Sequence, residues 1–163
     1  MKDLLLITPP FTQLNTPYPA TAYLKGFLNT KNISSYQIDL GIEVILEIFS
    51  QKGVTEIFNV KPKNLSENTQ RIFALKEEYI KTIDEVIAFL QNKKPTLARQ
   101  ICSMNFLPEA SRFNQLDDME YAFGNMGLQD KAKHLATLYL EDLSDYIIEN
   151  IDENFGFSRY AER

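Results

Sequence analysis

The chain opens on a run of apolar residues, Leu4-Leu-Leu-Ile7, that ends in Thr8 and Pro9-Pro10. The run is too short for a helix and is closed by prolines, so it predicts a short buried β-strand over residues 3–8. A polar loop punctuated by Pro17 and Pro19 follows, then Ala20, Tyr23, Leu24, Phe27 and Leu28 at helical spacing. That stripe predicts a helix over residues 20–30 whose apolar side lies on a sheet. Thr16 or Thr21 is a candidate cap, and Pro17 or Pro19 suits a first helical turn, where no backbone donor is missed. Ser35-Tyr-Gln-Ile-Asp39 predicts a second strand. Ile42, Val44, Ile45, Ile48 and Phe49 predict a second helix over 42–51, stopped by Gly53. Strand, helix, strand, helix is the order of a parallel pair joined by a right-handed crossover.

The alternation then ceases. Ile72, Leu75, Tyr79, Ile83, Val86 and Leu90 recur at steps of three and four, which predicts one long helix over 66–91. Ser66, followed by Thr69 and Gln70, suits its start, and Asn92 to Pro95 its stop. A shorter helix is expected over 96–103, a loop over 105–118, and another short helix over 119–126 ended by Gly127. A second long helix, over 129–150, is expected to bury Leu135, Leu138, Tyr139, Leu143, Tyr146, Ile147 and Ile151. No internal repeat or low-complexity stretch interrupts the chain.

Two strands set against about six helices are out of balance, because a two-stranded sheet is marginal on its own. The expected fold class is therefore α/β and helix-rich: an incomplete flavodoxin- or Rossmann-like start of two parallel strands, with a large helical insertion. Residues 1–53 form the start of the α/β domain and residues 54–163 the helical subdomain. The remaining strands are expected beyond Arg163. In the flavodoxin-like strand order the first strand is central, so its apolar edge, Leu4 to Ile7, is expected to pair with a second copy of the chain or to be covered by a helix.

Composition narrows the picture further. The 163 residues are 44% hydrophobic, enough for a core, and 22 acidic residues outnumber 17 basic ones. A net charge of −5 without a Lys/Arg stripe argues against nucleic acid as a partner. No apolar run approaches the ~20 residues of a membrane span, and the amino terminus lacks a signal-peptide core, so neither membrane nor secretion is expected and the cytoplasm is the default. The single cysteine, Cys102, excludes an intramolecular disulfide and an iron–sulfur cluster built from this segment alone. Its neighbours Ile101 and Met104 suggest packing. The lone His134, beside Lys131 and Lys133, is expected on a helix surface, with no metal to hold.

The chemistry most worth following is at the carboxyl end of the first strand. Open α/β sheets bind ligands in the crevice outside their strand ends. Pro9 and Pro10 hold the following loop extended, while Thr8, Thr12, Gln13, Asn15, Thr16 and Tyr18 offer hydrogen-bond partners without fixed charge. The candidate binding residues are Thr8, Pro9, Pro10, Thr12, Thr16, Tyr18 and Asp39. Asp39 closes the second strand, where an acidic residue can bond a ribose, and where it can equally cap the next helix. The Gly-rich fingerprint of nucleotide loops is missing, so tight pyrophosphate binding is not indicated. Glu77, Glu78, Lys81, Asp84 and Glu85 read as a solvated helix face. Nothing in the sequence places Asp117-Asp118 and Glu141-Asp142 in one cleft, and no catalytic residue is assigned. Tyr139, Tyr146, Phe155, Phe157 and Tyr160 read as packing.

Leu4-Leu-Leu-Ile-Thr-Pro-Pro10, then Pro19-Ala-Thr-Ala-Tyr-Leu-Lys-Gly-Phe-Leu28, then Ile38-Asp39 resembles the amino-terminal domain of cobalamin-binding-type radical S-adenosylmethionine proteins. Leu107-Pro-Glu-Ala-Ser-Arg-Phe113 and Phe155-Gly-Phe-Ser-Arg-Tyr160 resemble further pieces of such a protein. The resemblance implies an accessory domain, not catalytic by itself, whose cofactor is cobalamin and whose partner is a radical S-adenosylmethionine domain downstream in the same protein. Two departures qualify it. The Asp-x-His-x-x-Gly loop that ligates cobalt is absent, since no histidine precedes His134. The Cys-x-x-x-Cys-x-x-Cys motif of the catalytic cluster is absent too, so the iron–sulfur cluster and S-adenosylmethionine belong to that downstream domain. The alternative is a non-enzymatic helical interaction module, offering the helices between Ser66 and Asn150 to a protein partner. A self-contained α/β enzyme is weaker still, for want of a nucleophile–base pair or metal-ligand spacing.

Overall fold

The computed structural model describes residues 3–10, 19–63, 66–103, 105–118 and 127–156. They divide into two compact units. One holds the described residues up to Glu47 together with Gly156, and the other runs from Ile48 to Phe155.

In the first unit β1 (Leu4–Thr8) and β2 (Ser35–Asp39) pair in parallel, from Leu4 beside Ser35 to Thr8 beside Asp39. The Leu4 N–H donates to Ser34 O across this ladder. Alternate residues of a parallel strand turn their backbone groups to opposite sides, so Leu5 and Ile7 present theirs to the far edge. Among the described residues no third strand pairs there. Helix α1 (Pro19–Thr30) joins the strands, with Pro19 at its first position. It closes at Asn32, whose φ of 54° is left-handed, while the Ile33 N–H reaches back to Leu28 O. Helix α2 (Leu40–Ile48) follows β2 without a loop.

The burial expected of these elements is not found. Leu4, Leu5 and Ile7 are 43%, 59% and 48% exposed, so β1 is not a buried strand. Thr21 is buried and Lys25 and Leu28 half-buried, and Lys25 donates to Ser35 O, so this side of α1 faces the strands. Tyr23, Leu24 and Phe27, expected on the sheet, are 78%, 52% and 59% exposed. The reason is orientation: a helix lies on a sheet by one side only, and helical spacing puts Tyr23 and Phe27 on the side opposite Thr21, Lys25 and Leu28. In α2, Ile42 is exposed, and Val44, Ile45 and Ile48 are half-buried.

The second unit is a closed helical core. It contains α3 (Gln51–Asn59), α4 (Glu67–Ala74), α5 (Lys76–Leu90), α6 (Ala98–Cys102) and α7 (Leu128–Asn150). A 3-10 turn, Pro95–Leu97, leads into α6, and a 3-10 segment, Ser111–Asp118, replaces part of the expected loop. Helix α7 packs against α4, α5, α6 and the 3-10 segment, and α3 against α5. Val54, Phe58, Ile72, Tyr79, Ile83, Val86, Phe89, Ile101, Leu135, Tyr139, Leu143 and Tyr146 fill the interior. Phe58 and Tyr146, and Tyr79 and Tyr139, meet with ring centroids 5.0 Å apart. The stripe expected of α7 is buried from Leu135 to Ile147, with Ile151 half-buried.

Two helix boundaries differ from expectation. Gly53 does not stop a helix; it lies in the first turn of α3, where its N–H donates to the Ser50 hydroxyl at 3.0 Å. Asp84 Oδ1 accepts the Gln51 N–H at 2.8 Å, so side chains from two places satisfy the start of α3. The long helix over 66–91 is two helices with a turn at Leu75, which lets α4 lie on α7 while α5 serves both α3 and α7. Ser66 does cap the start, accepting the Thr69 N–H at 3.0 Å. Asn92, at φ 59°, closes the end, with the Lys93 N–H bonded to Ala88 O. The helix expected over 119–126 lies outside the described residues. Among the described residues no helix is long and apolar enough to cross a membrane.

One charge sits in this core. Asp142 on α7 is fully buried, and everything it bonds donates to it. Oδ2 accepts the Ala110 N–H at 3.0 Å and, at 3.4 Å, the Tyr79 hydroxyl; Oδ1 accepts the Arg112 N–H at 3.0 Å. One helical turn on, Asp145 takes the Arg112 guanidinium in a two-point ion pair, both contacts at 2.7 Å. Asn68 of α4 accepts the Ser111 N–H. Residues 110–112 are thereby fastened through their backbone, Ala110 and Arg112 to α7 and Ser111 to α4. Burial pushes the Asp142 carboxyl up to about 6, against the pull of the Arg112 and Ala110 N–H groups. Tyr79 and Tyr139 are raised far beyond the usual phenol range by the same burial.

Asp142→Ala strands one buried and one partly buried N–H donor and is expected to cost about 2–5 kcal/mol in urea unfolding. Asp142→Asn keeps one acceptor but turns an amide N–H₂ toward the other donor, so roughly 1–3 kcal/mol is expected; a change within about 0.5 kcal/mol for both variants would contradict the clamp. The titration has a definite sign. A carboxyl raised from 3.8 to about 6 on folding holds its proton more tightly in the native state. Its contribution is full below pH about 4 and is lost as pH rises past about 6, a change of at most about 3 kcal/mol. The stability difference between the native chain and Asp142→Asn, measured from pH 4 to 7, should therefore fall with rising pH. A flat difference would show that Asp142 is ionised throughout.

Candidate functional site

The parallel register sets Thr8 beside Asp39, so the two strands deliver their carboxyl ends to the same side of the first unit. Beyond Thr8 come Pro9 and Pro10, both exposed; beyond Asp39 comes α2. The topology thus brings three elements of the expected crevice together: Thr8, the exposed prolines and Asp39. Thr12, Thr16 and Tyr18, with Gln13 and Asn15, lie outside the described residues.

Among the described residues, the polar side chains at this end, those of Thr8 and Asp39, are engaged in the fold. The Thr8 side chain is not offered to a crevice, because the residue is only 2% exposed. Asp39 Oδ1 accepts the Ile42 N–H at 3.2 Å, the geometry of a helix N-cap, so the capping role of Asp39 is the one observed. What the described strand ends present outward is an exposed diproline, apolar surface and the half-exposed carboxylate of Asp39, one oxygen of which caps α2.

The same residues can be tested against cobalamin. Direct coordination of cobalt requires an imidazole or a comparable donor. Thr8 is buried, Asp39 is engaged in capping, and the one histidine, His134, is half-buried on α7 of the other unit. The described strand ends therefore do not fit a cobalt ligand. Among the described residues no three His, Cys, Asp or Glu side chains gather as a metal site.

The remaining candidates also resolve into structure. Cys102 is half-buried rather than buried; its Sγ lies 3.6 Å from Leu128 O, and burial raises the thiol while Lys131 opposes the rise. Glu77, Glu78, Lys81 and Asp84 are exposed, and Glu85 holds Lys94 at 2.6 Å. Phe155 meets the Phe49 ring edge-on, and Tyr139 and Tyr146 belong to the core. Asp142 is a buried clamp, which sequence reasoning missed. The signal was present: Asp142 falls on the inward stripe of α7, between Leu135, Tyr139 and Tyr146, where a charge needs partners.

Sequence reasoning also missed a groove in the second unit, of about 550 Å³, where the turn between α4 and α5 faces residues 105–109. Arg71 and Glu109 both line it. Glu109 is half-buried; burial raises its carboxyl, and the Arg71 charge opposes that rise.

No protein-family model, no curated protein and no solved structure matches this chain.

Proposed function

We propose that this chain is the amino-terminal accessory domain of a radical S-adenosylmethionine enzyme: a cobalamin-binding-like α/β start with a helical insertion, not catalytic by itself. The observation that carries the reading is the uncovered apolar surface of a two-stranded parallel sheet. Leu4, Leu5, Ile7, Tyr23, Leu24 and Phe27 are all exposed around a strand that ends in Pro9-Pro10. Isolated exposed apolar side chains are ordinary, but a strand and its crossover helix uncovered together mark a surface made for another partner. On this reading the partner is the downstream radical S-adenosylmethionine domain of the same protein, together with the strands that complete the sheet. That domain holds the iron–sulfur cluster and S-adenosylmethionine. The flavodoxin- or Rossmann-like character of the sheet belongs to the same proposal.

The role of the domain is to cover the catalytic barrel. A cobalamin held here is held without a cobalt ligand from the described residues, through its ring faces and amide edges against the loop after β1. The helical-module alternative draws less support, because the apolar stripes of α4, α5 and α7 are already satisfied inside their own unit.

Two measurements test the reading. Continuing the reading frame past Arg163 should reveal Cys-x-x-x-Cys-x-x-Cys; a frame without that triad removes the family assignment. Hydroxocobalamin titrated into the chain should bind without the visible-band shift of an imidazole-ligated cobalt, whereas such a shift would contradict the geometry at Thr8 and Asp39.

The uncovered edge carries its own consequence for the isolated chain. An apolar strand with open backbone groups pairs with whatever edge is present, so the chain alone is expected to form homodimers through β1. Leu5→Lys places a charge on that strand and should return the sedimentation mass to that of a monomer. A native chain that sediments as a monomer at tens of micromolar would show the edge to be closed by other means.

A further inference from the structure

The groove between the α4–α5 turn and residues 105–109 has two opposite charges that do not meet. Arg71 lies in the last turn of α4 and Glu78 in the first turn of α5, Glu109 lines the groove from residues 105–109, and Leu75, Phe106 and Pro108 form apolar wall. Arg71 makes one long hydrogen bond, 3.4 Å to Asn114 Oδ1. Neither Arg71, Glu78 nor Glu109 forms an ion pair with a described residue. The Arg71 guanidinium has donors to spare, in a planar fork that suits a carboxylate. Glu109 is half-buried among apolar neighbours and accepts no hydrogen bond from a described residue. A carboxylate in that setting is improved by a cation brought to it.

The wall bearing Glu109 is also held in place. Ala110 and Arg112, which follow it directly, are the residues whose N–H groups bond the buried Asp142. Glu109 is therefore presented by an anchored backbone, so little ordering is required when a ligand arrives. The volume, about 550 Å³, is within the range of small-molecule sites.

We propose that this groove binds a small zwitterion of the amino-acid class, with its carboxylate on Arg71, its ammonium on Glu109 and Glu78, and an apolar side chain against Leu75, Phe106 and Pro108. A plain anion meets two carboxylates here, and a plain cation meets the guanidinium. A molecule with both charges and an apolar body satisfies all three groups at once.

The test uses the whole chain, with amide NMR spectra recorded during titration with three probes. L-phenylalanine has both charges, L-phenylalaninamide lacks the carboxylate, and 3-phenylpropionate lacks the ammonium. An open groove and a ligand this small imply a dissociation constant on the order of 1 mM. Shifts should centre on Leu75, Phe106 and Leu107, and each single-charge probe should bind at least about fivefold more weakly than L-phenylalanine. Arg71→Gln should abolish the preference for L-phenylalanine over its amide, and Glu109→Gln the preference over 3-phenylpropionate, each leaving the unliganded spectrum folded. Both side chains are at the groove surface, so either variant reports on binding without unfolding the core. No shift by about 20 mM L-phenylalanine overturns the proposal, as does equal binding of all three probes, which would make the groove an apolar dimple without charge selection.

Discussion

A ribbon of two parallel strands is short of neighbours: it keeps an open edge and gives a helix one side to lie on, and the character of the first unit follows from that. Helix α1 seats its Thr21–Lys25–Leu28 side on β1 and β2, and nothing among the described residues of the unit covers its other side. The more hydrophobic side, Tyr23, Leu24 and Phe27, remains in solvent. The same shortage leaves Leu5 and Ile7 with their side chains and their outward backbone groups uncovered. Hydrophobic burial here is incomplete in a directed way: the uncovered residues belong to one strand and to the helix that crosses over it.

The second unit meets the opposite condition. Helix α7 is long enough to offer a partner to α4, α5, α6 and the 3-10 segment at once, and its inward side chains are buried from Ala132 to Asn150. Such closure would exclude any charge, yet Asp142 sits in the middle of it. Its cost is met by three donors, two of them backbone N–H groups that have no helix to bond within. The carboxylate and the irregular segment solve each other's problem: the chain at 110–112 needs acceptors, and Asp142 needs donors. Asn68 and Asp145 repeat the arrangement at Ser111 and Arg112, so one short segment is tied to two helices.

These contrasts explain what could be read from the sequence. Periodicity located α1, β2 and α7 well and the outer ends of the α4–α5 pair, because each has a regular apolar pattern, and the ends at Ser66, Asn92 and Pro19 follow local rules of capping and φ. Burial was misjudged where it depends on how much sheet is available, since Leu4-Leu-Leu-Ile7 has the same composition whether or not neighbours cover it. The turn at Leu75 has no Gly or Pro to announce it and arises from packing alone. Gly53 looked like a stop because a glycine weakens a helix, but Ser50 and Asp84 supply the acceptors that make residue 51 a start. Of the crevice residues, Asp39 was legible as a cap. The groove at Arg71 and Glu109 was not legible, because those residues are far apart in sequence and on neither apolar stripe.

The side chains at the strand ends limit what the first unit can contribute to chemistry. Thr8 is enclosed, and Asp39 caps α2 through one carboxylate oxygen. With Thr8 and Asp39 occupied in that way, what the described residues of this end offer a partner is mainly shape and apolar contact. Pro9 and Pro10 suit that role: they fix the backbone direction at the edge and have no N–H to desolvate, so a partner can approach closely at small polar cost. Leu5, Ile7, Tyr23 and Phe27 supply the area that such an approach would bury. On the proposed reading, reactive groups would come from the surface that docks there, and this sheet would be one wall of the site.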